Sequence, residues 1–368
     1  MSFQELSIRE TVFNRGVSRR DFLKFCSVMA GALALPKSGA AWIETALTAP
    51  KRVPVVWLEL QDCAGCSEAF LRSNNPTAAD IILDVLSIDY HETIMAAAGK
   101  QAEEAKAATI KAGGYILVVE GSVSLGDNGV YCCVGGRSSE DLIREAASNA
   151  VAVVAVGNCA AFGGIPKASP NPTGAKGAWE VITDRTVVNV PGCPAIPEVT
   201  TGTIAHFVAF GELPELDELN RPKTFYGHTV HDRCERLPFF RDEKYARSFD
   251  DDGAKQGWCL FKLGCKGPTT FNSCSSLKWY QGLSYPVEAG HPCLGCAEPD
   301  FWDRMTPFYQ HLMGVPGFGA GSNIDTIGGL AVLGVGAAFA GHGVIQIMKR
   351  AADKAEPVVP NGPAKGDA

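Results

Sequence analysis

Thirteen cysteines stand in these 368 residues, and their positions restrict the fold more than any other feature. A disulfide-stapled secreted scaffold is much smaller, and an odd number of thiols does not pair off cleanly. The thiols are therefore either idle in a reducing compartment or largely committed to metal. At 46% hydrophobic and 20% charged, the chain has the makeup of an ordinary globular protein, of about two domains at ~150 residues each. A net charge of −7 gives it no basic footprint, which argues against nucleic acid as a partner.

Residues 50–220 read as an α/β domain. Short apolar runs at Val53–Leu60, Tyr115–Val119, Val151–Val156 and Val187–Val190 alternate with helical stretches, as in a parallel sheet covered on both faces. Residues 92–112 read as one exposed crossover helix. The four runs lead into Cys63-Ala64-Gly65-Cys66, Glu120-Gly121-Ser122, Gly157-Asn158-Cys159 and Pro191-Gly192-Cys193-Pro194. Open α/β sheets bind ligands beyond the carboxyl ends of their strands. Four thiols gathered on that edge make a four-cysteine site, for iron–sulfur or for zinc. The flanking glycines allow the close backbone approach that a bulky cluster needs. There is no Gly-x-Gly-x-x-Gly fingerprint or phosphate loop to indicate a nucleotide.

From 221 to 316 the periodic strands stop and the cysteines continue. His231, Cys234, Cys259 and Cys265 form one candidate donor set of three thiols and an imidazole. Cys274, Cys293 and Cys296 form a set of only three, with Pro286 where a fourth thiol would fall. Three thiolates suit a [3Fe–4S] cluster, or a four-iron cluster with an outside ligand. So loop-rich a stretch needs metal as a structural staple. Cys132 and Cys133 read as a buried pair without a cluster role, and His228 and His291 as structural.

The ends carry their own signals. Ser18-Arg19-Arg20-Asp21-Phe22-Leu23-Lys24, an apolar run and small residues resemble a twin-arginine export signal over residues 1–45, with which Cys26 would leave. Thr326–Met348 holds 23 residues without Asp, Glu, Lys or Arg, long enough for a transmembrane helix. Lys349, Arg350 and Lys354 follow, which by the positive-inside rule makes 349–368 a cytoplasmic tail. These signals predict a body on the periplasmic side of the cytoplasmic membrane, held by a C-terminal anchor.

Cys63-Ala-Gly-Cys66-Ser-Glu68, Gly157-Asn-Cys159, Pro191-Gly-Cys193-Pro, His231-Asp-Arg-Cys234, Gly264-Cys265-Lys-Gly-Pro and His291-Pro-Cys293-Leu-Gly-Cys296 together resemble the small subunit of membrane-bound, uptake-type [NiFe] hydrogenases. The resemblance implies a flavodoxin-like N-terminal domain with a proximal [4Fe–4S] cluster on Cys63, Cys66, Cys159 and Cys193. It implies a medial [3Fe–4S] cluster on Cys274, Cys293 and Cys296, and a distal [4Fe–4S] cluster on His231, Cys234, Cys259 and Cys265. The nickel–iron centre would belong to a separate large subunit. Electrons from H2 would leave near His231 for a membrane acceptor such as a cytochrome b or another iron–sulfur subunit, and finally quinone. Oxygen-tolerant members carry two further cysteines at the positions of Gly65 and Gly164, so the resemblance implies an ordinary proximal cubane. Glu68 and Glu120 would lie at the edge facing the large subunit. Two other readings are an electron-transfer subunit of the NADH dehydrogenase type, which shares the N-terminal fold, and a zinc-holding structural protein.

Overall fold

The computed structural model describes residues 19–32, 40–41, 52–73, 86–280, 282–310 and 341–348. The chain divides into two compact units, residues 1–311 and 312–368. In the first unit, helix α1 (Arg19–Ala32) is followed by β1 (Val53–Glu59), α2 (Gly65–Leu71), β2 (Leu86–His91) and α3 (Lys100–Ala112). Next come β3 (Tyr115–Glu120), α4 (Ser139–Ser148), β4 (Ala150–Val156), α5 (Gly157–Phe162), β5 (Val187–Val190) and α6 (Pro197–Phe210). The five strands are all parallel, in the order β2-β1-β3-β4-β5. This is the flavodoxin-like order, with its switch point between β1 and β3.

Alternate residues of the central strands face two different cores. Val55, Trp57, Ile116, Val118, Val154 and Val156 join one, and Val56, Leu58, Leu117, Val119, Val153 and Ala155 join the other. Burial on both faces makes these strands read as unbroken apolar runs. Strand β2, Leu-Ser-Ile-Asp-Tyr-His, lies at the sheet edge and is only partly buried, so it has no such run and goes unseen in the sequence. The predicted helix over 92–112 is shorter in the structure. It starts at Lys100 after Gly99, whose φ of 57° breaks the helix on its N-terminal side, and ends before Gly113.

Beyond residue 221 the chain forms short helical turns and isolated bridges such as Thr229–Phe271 and Tyr245–Cys259. Phe225, Tyr226, Val230, Leu260, Leu263, Tyr285 and Val287 do not make a separate core. They extend the Trp57 side of the sheet's core.

The C-terminal expectation is corrected. No helix among the described residues is long and apolar enough to cross a membrane. Of 326–348, residues 341–348 are described; they are helical and exposed. The transmembrane helix, and the membrane-anchored periplasmic location that rested on it, are therefore not supported. Residues 326–340 and the 349–368 tail lie outside the described residues, as does most of 1–45. The part of the expected signal that is described is α1, in which Cys26 and Ala30 are buried in the Trp57 core.

Candidate metal centres

The first donor set forms at the carboxyl edge of the sheet. After β1 the chain turns through Ala64, in the left-handed region at φ 54°, and enters α2 with Cys63 and Cys66 on either side of the turn. Strand β4 passes directly into α5, which carries Cys159, through Gly157 at φ +86°. A Cβ on Gly157 would lie 2.4 Å from the Cys66 sulfur, and one on Gly164 would lie 2.6 Å from the Cys159 sulfur. Only glycine permits such approach. After β5, the Gly192 carbonyl accepts from the Asn158 amide at 2.8 Å, bringing the Cys193 turn beside α5.

These thiols sense one another. Burial, with help from Glu120, Cys159 and Cys193, raises the Cys66 thiol well above its usual range. Burial and neighbours that include Cys63 push Cys159 up to about 11. Cys193, next to Cys159 and Cys63, is likewise pushed up to about 11, mainly by burial. The structure thus brings all four predicted residues together.

Glu120, expected at the large-subunit face, is instead 2% exposed. Its carboxylate accepts from the Cys66 amide at 2.9 Å, the Ser67 amide at 3.0 Å and the Trp57 indole at 3.2 Å, and from the Ser67 hydroxyl. It ties the end of β3 to the start of α2 and so positions Cys66. Glu68 is exposed and pairs with Arg72.

Cys274, Cys293 and Cys296 form a second group. Burial and then Cys296 and Cys293 raise Cys274, while burial and Cys296 push Cys293 up to about 12. Cys296 borders the first set: after burial, which pushes its thiol up to about 11, the backbone and the thiol of Cys193 are the next influences on it. The Asn158 side chain, one residue before Cys159, donates through Nδ2 to the carbonyls of Cys296 and Glu298, both at 2.9 Å.

The third group borders the second. The Cys293 amide donates to the Cys265 sulfur at 3.3 Å. Burial and then Cys293 push Cys265, which also senses Cys234, up to about 12. Burial, with Cys265 and Cys234 nearby, pushes Cys259 up to about 12. His231 belongs to the same turn as Cys234, whose amide donates to the His231 carbonyl at 3.1 Å. Its ring packs edge-on against Phe240 at 4.6 Å, and burial lowers its basicity. A neutral imidazole is the form that binds metal.

Buried thiols with such raised pKa values keep their protons at neutral pH unless a metal displaces them. A glycine-cradled set of sulfurs, with Cys63 and Cys193 open to solvent and Cys66 and Cys159 partly buried, therefore fits a thiolate-ligated cluster. Cys133 is exposed and Cys132 half-buried, so they are not a buried pair. Two buried cations, Lys266 and Arg236, escape sequence reasoning altogether. Their only linear sign is a basic residue next to, or two positions from, a candidate metal-ligating cysteine.

A doubly wound parallel sheet that gathers thiols at its strand ends, continued by loops carrying seven more donors in a row, defines an electron-transfer protein with several metal centres. The family NADH ubiquinone oxidoreductase, 20 Kd subunit, matches residues 63–207. The C-terminal family of the NiFe/NiFeSe hydrogenase small subunit matches 226–309. The chain is 46% identical to the uptake hydrogenase small subunit of Afipia carboxidovorans, over 94% of both chains. It is 45% identical to the hydrogenase-1 small chain of Escherichia coli, over 92% of this chain and 91% of that one. Among solved structures, a [NiFeSe] hydrogenase from Desulfovibrio vulgaris Hildenborough aligns at 38% identity. The alignment covers 72% of this chain and 99% of that one, with a TM-score of 0.66. The chain belongs to the family of [NiFe] hydrogenase small subunits. Members carry iron–sulfur clusters, pair with a large subunit in the hydrogenase heterodimer and exchange electrons with it.

Proposed function

We propose that this chain holds three iron–sulfur clusters in series and conducts electrons from H2 oxidised at the large subunit. Cys63, Cys66, Cys159 and Cys193 hold a proximal [4Fe–4S] cluster in the 50–220 domain. Cys274, Cys293 and Cys296 hold a medial [3Fe–4S] cluster, and His231, Cys234, Cys259 and Cys265 a distal [4Fe–4S] cluster, both in the 221–316 domain. When bound, such clusters supply one-electron carriers at closely spaced sites. The carrying observation is the unbroken succession of neighbouring sulfurs: the first set meets the second at Cys193 and Cys296, and the second meets the third at Cys293 and Cys265. The chain's own residues bury Cys259 and Cys274, partly bury most of the other thiols, leave Cys63 and Cys193 exposed, and fix their order. His231, a neutral ligand, removes a negative charge at the outer end and eases reduction there. Exposed Asp232, Arg233 and Arg241 surround that end, where an acceptor that passes electrons to quinone would dock.

The test is to purify the heterodimer and measure H2-dependent dye reduction, nickel, iron and low-temperature EPR. Dye reduction, about eleven irons per small subunit and a three-iron signal in the oxidised protein support the reading. A colourless, zinc-loaded protein inactive with H2 would overturn it.

A further inference from the structure

A charge removed from water must be paired or heavily hydrogen-bonded. Arg221, 5% exposed, follows the common pattern and pairs with Asp217 at 2.8 Å and Glu298 at 3.1 Å. Lys266 and Arg236 depart from it. Lys266 is 2% exposed, and its ammonium donates to the carbonyls of Gly264 at 2.9 Å, Phe308 at 3.3 Å and Pro307 at 3.4 Å, and to that of Gln310. Arg236 is 9% exposed and donates to the carbonyls of Trp258 at 2.8 Å, Val287 at 3.0 Å and Glu288 at 3.4 Å. Neither has a carboxylate partner among the described residues. Every hydrogen-bond partner of the Lys266 nitrogen is a carbonyl acceptor, an arrangement that suits the ammonium.

The anions these cations have instead are cysteine sulfurs. Lys266 follows Cys265 and its amide donates to the Cys293 carbonyl at 2.8 Å; burial lowers the pKa of its ammonium, and Cys265 and Cys293 oppose that shift. The Arg236 amide donates to the Cys234 sulfur at 3.4 Å, and its charge reaches Cys234 and Cys259. At the opposite end of the row, the buried group beside Cys66 is the Glu120 carboxyl. Among the described residues, the buried side chains beside the sulfurs that lack an ion-pair partner thus change from acid to base along the series.

We propose that Lys266 and Arg236 are counter-charges of the metal centres themselves, Lys266 acting on the medial and distal centres and Arg236 on the distal one alone. This rests on the cluster placement proposed above. A cluster gains negative charge when reduced, so a buried cation beside it favours the reduced form and raises its potential. The two residues touch no reacting atom. They are positioning residues that bias electrons away from the carboxylate end of the row.

The test is an EPR-monitored redox titration of the purified heterodimer carrying K266M, K266R or R236M, with a thermal melt of each. In K266M, the reduced-to-oxidised ratio of the medial and distal signals at a fixed potential falls about tenfold, which is about 59 mV for a one-electron couple. The proximal signal stays put, and K266R restores the wild-type values. R236M moves the distal signal only. If K266M misassembles, K266Q provides the same charge removal with a polar head. Signals unmoved in both charge-removing variants, with only the melting temperature lowered, would reduce both residues to structural pins. Wild-type protein without separate medial and distal signals would instead overturn the cluster placement beneath the proposal.

Discussion

At Gly157 the chain has no room for a side chain. The positive φ disfavours any L-residue, and a methyl group would meet the Cys66 sulfur at 2.4 Å. Strain and overpacking together cost about 2–6 kcal/mol, and the displaced object is a sulfur proposed to hold the proximal cluster. G157A should therefore lower both the unfolding midpoint and the iron content of the purified heterodimer. Full iron with unchanged stability would contradict the cradle. A different residue-scale effect is expected at Glu92, where burial pushes the carboxyl up to about 7 from an ordinary 4.5. The folded state holds this proton to higher pH than the unfolded state does. Its contribution is complete below about pH 4.5 and disappears as pH rises through 7. E92Q lacks the titration, so wild type should lose stability relative to E92Q across that window, as read from denaturation midpoints against pH. The metal-binding residue types were legible at this scale because thiols flanked by glycine have few other uses. The burial of Glu120, Lys266 and Arg236 was not, because a charged residue in a linear string looks like a surface residue.

At the scale of elements, the central strands announce themselves through unbroken apolar runs, the consequence of burial on both faces. The edge strand β2 does not, since it shares only one side with another strand and keeps polar residues. Helix ends depend on local chemistry that periodicity overlooks. The N-terminus of α4 is set by Ser138, whose hydroxyl accepts from the Asp141 amide at 3.1 Å. S138A should cost about 1 kcal/mol, measured by chemical denaturation, with cluster signals unchanged. A loss several times larger, or a lost EPR signal, would mean that α4 supports the metal centres directly.

For the molecule as a whole, the loops after residue 221 have little regular structure, and their apolar residues lean on the sheet's core. Metal binding to such a segment contributes directly to its folding. Stripping iron with a chelator under reducing conditions should make 221–310 sensitive to protease while the 86–210 region stays protected. Equal resistance with and without iron would show that the loops hold themselves. The order of residues was enough to specify the α/β alternation, the two-sided burial of the central strands and which residues are equipped to bind metal, because these depend on side-chain chemistry and local period. It was not enough at the C-terminus, where an uncharged apolar run resembled a membrane anchor and no described helix can span. Which sulfurs are neighbours emerges only in the folded chain. Cys193 meets Cys296, and Cys293 meets Cys265, across long stretches of chain, through loop closure that no local pattern encodes. Folding also sets two cations, without carboxylate partners among the described residues, near those sulfurs, since it alone removes the water that would otherwise screen them.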